Sequence, residues 1–579
     1  MSQARQVLTP LLALLFATSA CYADEKKSGY PFMTPPAKAL EVLAGLGKAP
    51  VSADEESLFA AARDGKLGKW SFDEAALLAS GVTDGAKRKE YVARLDDLEA
   101  KARKALEGAK SAHERGERLL QFLHDGPMAK GYEAKQTRLD VVLDTGKYNC
   151  VSSAVLYNVL ARRLGLEARA VEVPGHVYSV LVLDGRSVDV ETTNAHGFDP
   201  ANPEQREKLR KEKGIEVAAS NYADKREVRE LGLAAVVYAN RSGMLSDAGK
   251  HHEAAVAGFC ALSLDPESDG GATNALLALT KWGLALSKEA KYEKALRVTN
   301  AALSLGPKDS HNLRNNRIVY LSEWAAALVK DGKEDEALAV LRKALAEVGK
   351  DDRNAVLELQ AEVYTRRGEE LVKAGEWDPA LALAERGLKK IDAGAVQNLR
   401  RWRNGVYLRR ADAEEKAGRF DKAVSVLEAG LAADPDESSF ATNLGCLVRD
   451  RAKQLHDAGK RDEAKATLVR MRKRFAACGP VQGAGTEFVA MVQDEPLGQA
   501  KYGDALDLFD FYSEVVKDDG DREGLAGRVY DREAKPFIDK GTKEAWAAAA
   551  AVYEKGLKRY PDNKHIRSNL EVCRQRAKQ

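Results

Sequence analysis

Two regimes of hydrophobic patterning divide the chain. Beyond about Leu231, small and apolar positions return at one steady interval. A turn residue stands at Gly249, Ala290, Gly332, Gly375, Gly418, Gly459 and Ala500, at spacings of 41 to 43 residues. Five residues after each turn stands an alanine: Ala254, Ala295, Ala337, Ala380, Ala423, Ala464 and Ala505. Seven before it stands a small residue: Ser242, Gly283, Ala325, Gly368, Ala411 and Ala452. Small side chains at fixed offsets around a turn are what two antiparallel helices require where their backbones come closest. Pro266, Pro307 and Pro435, each seventeen residues past its turn, stop the second helix, because proline lacks an N–H and clashes with the preceding turn. A period this regular predicts an array of helical pairs over 231–579, with a degenerate last unit marked by Ala549, Tyr553, Gly556 and Pro561.

Upstream the register changes. Phe72, Ala75 and Leu78, then Leu95, Leu98, Ala102 and Leu106, recur at three-or-four spacing and predict helices between Ser71 and Phe122. Asp140 to Asn149 reads as a loop ending at Cys150. Val151, Ala154, Val155, Asn158, Val159 and Arg162 then form an amphipathic helix that closes at Gly165. Three strands are predicted next, Ala168–Val173, Val177–Leu183 and Ser187–Thr193, separated by Pro174-Gly175-His176 and Asp184-Gly185-Arg186. Residues 24–70 read as a linker and N-terminal helical segment, with Tyr30 to Pro50 as the linker. Residues 206–230 read as a connector, the stretch Asn202 to Asp224 being charged.

The first 23 residues have the pattern of a secretory signal: Arg5, an apolar run from Val7 to Ala17, and small residues from Ala20 to Ala23. The expected location is therefore periplasmic or extracellular. The apolar run is too short for a span, which needs about 20 residues. A membrane enters only if Cys21, after Thr18-Ser19-Ala20, is lipidated.

Charge and cysteine content narrow the functions. The 579 residues carry 90 Lys+Arg against 88 Asp+Glu, for a net charge of +2. An indiscriminate polyanion binder would show a basic excess, so nucleic acid is not an expected partner. Cys150, Cys260, Cys446, Cys478 and Cys573 are scattered singly, without a CxxC pair, and the nine histidines do not cluster. Neither a disulfide framework nor a zinc site is supported. No phosphate-cradling glycine motif follows a strand, so no cofactor is expected.

One cysteine stands apart. At a helix N-terminus, exposed N–H groups and the positive end of the helix dipole favour a thiolate over a thiol, and Cys150 heads the predicted helix. His176 opens the hairpin that follows. Period-two alternation places Ser187, Asp189, Glu191 and Thr193 on one face, so either Asp189 or Glu191 could orient His176. Cysteine, histidine and an acid are the groups that nucleophilic acyl transfer needs: a sulfur to attack, an imidazole to carry the proton, and a carboxylate to fix its orientation. An oxyanion would be met by the Cys150 backbone N–H, with Asn149 or Asn194 as candidates for a second donor. The bland reading of the same residues is packing for Cys150 and a turn for His176.

These motifs resemble a known family. Gly146 to Cys150, the helix ending Leu160-Ala161-Arg162-Arg163-Leu164-Gly165, then Gly175-His176 and Glu191-Thr192-Thr193 are similar to the transglutaminase-like core on a papain-like scaffold, placed at 71–205. Arg138-Leu139-Asp140-Val141-Val142-Leu143 resembles the bacterial subfamily with a helical N-terminal extension. The resemblance implies Cys150 as nucleophile, His176 as general base and acid, and Glu191 as orienting acid. Tyr178 stands where many members have tryptophan, and Glu191-Thr192-Thr193 replaces Asp-Pro-Thr, which keeps Asp189 open. The array resembles the tetratricopeptide repeat. Its period exceeds that family's 34 residues, which implies helices or inter-repeat turns longer by about two turns. That resemblance implies protein or peptide binding along a concave face.

The expected architecture is an α+β transglutaminase-like domain followed by an all-α solenoid. The expected function is an exported cysteine-dependent acyl-transfer enzyme, with hydrolysis and amine transfer both open. The alternative is a catalytically silent domain in a binding scaffold.

Overall fold

The computed structural model describes residues 32–48, 51–213, 224–308 and 310–579; the expected signal and Cys21 lie outside the described residues. The chain divides into two compact units, residues 1–327 and 328–579.

In the first unit, α1 (Pro36–Ala44) and α2 (Ala53–Ala62) precede α3 (Phe72–Ala79), α4 (Gly85–Ala105), α5 (Ala112–Asp125), α6 (Leu139–Thr145) and α7 (Cys150–Arg163). The strands β1 (Ala168–Val173), β2 (His176–Leu183) and β3 (Arg186–Val190) follow, then α8 (Pro203–Lys213) and β4 (Arg226–Val228). The helical pairs begin with α9 (Glu230–Asp247), α10 (His251–Leu264), α11 (Asp269–Lys288) and α12 (Tyr292–Ser304), and α13 (His311–Lys330) reaches the boundary between the units.

The sheet is antiparallel throughout, in the order β3-β2-β1-β4. Ala168, Ala170, Val177, Leu181 and Val190 belong to the same core as α7, in which every residue from Val151 to Ala161 is buried. Val171, Val173, Tyr178 and Val180 form a separate small cluster on the other face. This division is the period-two alternation of strands expressed as burial.

Several expectations change. Within the supposed linker Tyr30 to Pro50, α1 is a helix: Ala39 and Leu43 are fully buried, and the His252 Nε2–H donates to the Leu43 carbonyl at 2.9 Å. The prolines that suggested a linker include Pro36 at the first helical position, where a missing N–H costs nothing. Asp140 to Asn149 is not a loop throughout, since α6 covers most of it and ends at Gly146 with φ +72°. The supposed connector holds α8 and the edge strand β4, whose three residues pair with β1. The third strand ends at Val190, short of Thr193. The hydrophobic core also runs across residue 230: Leu233, Ala234 and Val237 of α9 share it with Leu77 and Leu78 of α3 and Val155 of α7.

The second unit continues with α14 (Glu334–Glu347), α15 (Lys350–Lys373), α16 (Trp377–Leu388), α17 (Val396–Lys416), α18 (Phe420–Ala433), α19 (Ser438–Asp457), α20 (Arg461–Arg474), α21 (Gly479–Gly498), α22 (Tyr502–Tyr512), α23 (Asp519–Ile538), α24 (Lys543–Arg559) and α25 (Lys564–Lys578). All seven turn positions have positive φ, including Ala290 at 55° and Ala500 at 54°. The alanines five residues later have no exposed surface. The long period resides in the first helix of each pair: α15, α17, α19 and α21 have 20 to 24 residues, whereas α16, α18, α20 and α22 have 11 to 14.

Candidate active site

The site begins with how α7 starts. Asn149 is its N-cap, and its Oδ1 accepts from the Val151 and Ser152 N–H groups at 3.0 and 3.1 Å. Ser152 Oγ answers by accepting from the Asn149 N–H at 3.0 Å and donating to the Gln136 carbonyl at 2.5 Å. Such reciprocal capping satisfies donors that a helix start leaves open, and stabilises it by about 1 kcal/mol. Cys150 is the first residue of that helix and is partly exposed, whereas the residues behind it are buried.

His176 comes from the sheet. Pro174-Gly175 forms a two-residue turn with Gly175 at φ +76°. His176 therefore opens β2, paired with Val173. It begins the strand, as the reading of it at the hairpin start has it, and is not part of the turn. Its ring stacks over Tyr178, two positions along, at a centroid distance of 6.4 Å.

Glu191 comes from the turn after β3. The Glu191 N–H donates to the Gly197 carbonyl at 2.8 Å, and the Asn194 N–H donates back to the Glu191 carbonyl at 3.1 Å. The two segments lie so close that a Cβ on Gly197 would stand 2.2 Å from the Glu191 carbonyl oxygen. From this turn Glu191 Oε2 meets His176 Nε2 at 2.8 Å, while Oε1 accepts from Thr193 Oγ1 at 2.7 Å. The imidazole also interacts with the Cys150 side chain, which is the largest influence on its charge. Cys150, His176 and Glu191 thus form one connected chain, with His176 and Glu191 side chains only 22% and 17% exposed.

Charge follows from these bonds. The Cys150 and Glu191 side chains, opposed by burial, push the His176 imidazolium up to about 10. Burial alone would raise the Glu191 carboxyl, but the bonds from His176 and Thr193 outweigh it and hold it below the usual range. Near neutral pH the site holds an imidazolium between a sulfur and a carboxylate.

Asp189 is elsewhere. It pairs with Val180 and lies 3.7 Å from Lys225 Nζ, and burial pushes its carboxyl up. Of the two candidate oxyanion donors, Asn149 has its amide N–H engaged, while Asn194 is held through its carbonyl oxygen. Asn149 Nδ2 donates to the Ala134 carbonyl at 3.1 Å, and Asn194 Oδ1 accepts the His196 N–H at 2.9 Å.

Two further residues reach this site without any signal in the sequence pattern. His124 of α5 donates from Nε2 to the Thr192 carbonyl at 3.0 Å, bracing the turn that carries Glu191. Burial lowers its imidazole below the usual value, so it serves as a neutral donor. Tyr132, on the loop between α5 and α6, lies near enough to Cys150 and Glu191 that they, after burial, push its phenol above the ordinary value. Both are distant in sequence from the motif, and only the fold brings them there. Among the described residues no group of three or more His, Cys, Asp or Glu could hold a metal ion, and no helix is long and apolar enough to cross a membrane.

A family model described as the transglutaminase-like superfamily matches residues 89–217. One described as the tetratricopeptide repeat matches residues 405–445. No curated protein matches the chain. Similar solved structures include YrrB, a TPR protein with an unusual peptide-binding site, at 18% identity over 36% of this chain and 89% of that one, with a TM-score of 0.14. Yeast Tom70 matches at 14% identity over 60% of this chain and 84% of that one, with a TM-score of 0.16. A tetratricopeptide repeat protein from Parabacteroides merdae matches at 15% identity over 58% and 98%, with a TM-score of 0.14. On the two family matches, the chain carries a transglutaminase-like domain followed by tetratricopeptide repeats.

Proposed function

We propose that this chain is an exported cysteine-dependent enzyme that opens amide bonds through a thioester on Cys150, with its helical repeats binding the protein or peptide that carries the amide. The observation that carries this reading is the unbroken connection from the Cys150 side chain through His176 to Glu191 and Thr193. The pairing of a transglutaminase-like domain with tetratricopeptide repeats supports a protein-binding scaffold around it.

The groups supply each step. The Cys150 sulfur, as thiolate, adds to the amide carbon, and the carbonyl electron pair moves to oxygen. His176, held protonated, gives its Nδ1 proton to the departing nitrogen as the C–N bond breaks, leaving an acyl thioester and a free amine. Glu191 holds the imidazole by Nε2, so Nδ1 faces the sulfur, and its charge stabilises the imidazolium. The neutral imidazole then takes a proton from the incoming nucleophile. Water in that role gives an amidase or protease, and a primary amine gives a transglutaminase.

A thiol probe tests the reading. Burial pushes the Cys260 and Cys573 thiols up, so the informative competitors are the partly exposed Cys446 and Cys478. With limiting iodoacetamide, peptide mapping is expected to find Cys150 modified at least tenfold faster than either, and His176→Ala to remove that advantage. Equal rates at the three cysteines, or indifference to His176→Ala, would leave the silent-scaffold alternative. Incubation with a glutamine peptide and a labelled primary amine then separates transfer from hydrolysis: ammonia release without adduct excludes transfer.

A further inference from the structure

The loop carrying Tyr132 runs beside the residues that lead into Cys150. The Lys130 N–H donates to the Gly146 carbonyl at 3.1 Å, the Tyr148 N–H to the Gly131 carbonyl at 3.3 Å, and the Glu133 N–H to the Tyr148 carbonyl at 2.7 Å. Tyr132 and Tyr148 form a parallel bridge, with their rings edge to face at 6.2 Å. Lys147 and Glu133 close the end with an ion pair at 2.8 Å. One short ladder therefore fixes both the nucleophile and the phenol. That phenol lies near the Cys150 side chain, yet Tyr132 is 56% exposed, so it borders the space from which a substrate must arrive.

We propose that the Tyr132 hydroxyl is the second oxyanion-hole donor of this site, acting with the Cys150 backbone N–H on the oxygen of a carbonyl attacked by the Cys150 sulfur. The inference rests on the acyl-transfer reading above and specifies how its tetrahedral intermediate is stabilised. An oxyanion sits on the carbon bonded to the sulfur, and the ladder that places Tyr132 beside Tyr148, two residues before Cys150, sets the phenol on the side from which that carbon arrives. The Cys150 N–H, at the first position of α7, lies among the donors that a helix start leaves without an intrahelical acceptor. Asn149 Nδ2 is engaged by the Ala134 carbonyl, and Asn194 is anchored in its turn through Oδ1. Burial, together with the neighbouring Cys150 and Glu191, holds the phenol above its ordinary value, so it remains a donor when the site is charged. No bond is made or broken to Tyr132: it donates one hydrogen bond that strengthens as the carbonyl π pair moves onto oxygen, and weakens again when that pair re-forms C=O and the amine is expelled. Donors fixed before the reaction are worth most at this stage, because they need no reorganisation.

Two probes of the same sulfur separate this role from others. Iodoacetamide alkylates by direct displacement at carbon and forms no oxyanion at the reacting centre, whereas p-nitrophenyl acetate acylates through a tetrahedral oxyanion. In the full-length protein, Tyr132→Phe is expected to slow the nitrophenolate burst from p-nitrophenyl acetate by on the order of 10²-fold. Its iodoacetamide rate at Cys150 is expected to stay within about twofold, which also reports an intact site. If both rates rise together, Tyr132 only covers the sulfur; if both fall together, it only positions the sulfur; if neither changes, it has no role. Each of these three results overturns the proposal. A wild-type protein with no burst, or with no preference for Cys150 over Cys446, fails at the acyl-transfer reading itself and takes the Tyr132 role with it. A normal wild-type burst unaffected by Tyr132→Phe overturns the Tyr132 role alone.

Discussion

Glu191 and Asp189 project from the same side of one hairpin, yet only Glu191 meets the imidazole, and register is the reason. Asp189 is paired with Val180, four residues along β2 from His176, or about 13 Å at roughly 3.3 Å per residue. Val190 is paired with Ser179, so Glu191, one step beyond, lies beside Tyr178 and within diagonal reach of His176. Glu191→Gln is therefore expected to lower Cys150-dependent acyl transfer by about two to four orders of magnitude, and Asp189→Asn to leave it within about twofold; burst kinetics with p-nitrophenyl acetate read both. The same bonds tie stability to pH. The folded His176 holds its proton up to about 10, whereas in an unfolded chain it loses it near 6.5. Between those values the folded state binds more protons, so this contribution is complete below about pH 6.5 and is lost as pH rises toward 10. Thermal melts at pH 6 and pH 9.5 are expected to show a larger fall in Tm for the wild type than for His176→Gln. An equal fall would mean that the imidazole is not held charged by the fold.

At the level of elements, three short structures place three side chains. The Asn149 cap sets where α7 begins, the Pro174-Gly175 turn sets where β2 begins, and the 191–197 turn carries the carboxylate past the end of β3. The last is the most constrained, because Gly197 has no room for a Cβ against the Glu191 carbonyl. Gly197→Ala is expected to displace Glu191 and reduce acyl transfer by at least tenfold, while the circular dichroism of the helical chain stays unchanged. Retention of full activity would show that the turn is not what positions the acid. His124 supports the same turn from α5, through a single bond to a backbone carbonyl, and that kind of contact leaves no trace in local sequence pattern.

Across the whole molecule, the repeat is a close-packing device. At the position seven residues before a turn, a Cβ on Gly368 would stand 2.2 Å from Trp402 Cη2. At the position five residues after one, Ala380 has no exposed surface. Ala380→Leu is expected to destabilise the second unit by about 1–3 kcal/mol through overpacking. The exposed Ala417→Leu is expected to stay within about 0.5 kcal/mol. Urea unfolding of the full chain measures both, and an insensitive Ala380 would mean that the helical pair is not tightly packed there.

The sequence by itself determined the elements whose patterning is local. Periodicity is a local property, so the helical array, its seven turns, α7 and the hairpin could all be read from spacing, and Cys150 and His176 stood out by their places at element starts. The sequence did not decide between Asp189 and Glu191, because both satisfy the same alternation; only the pairing of β3 with β2 sets their distances from His176. Nor did it reveal α1, α6 or β4, which are too short to show a period and are held by burial or pairing against remote segments. Tyr132 and His124 belong to the same class. Their contacts join residues 18 and 68 positions apart, and long-range contacts of that kind exist only once the core has folded.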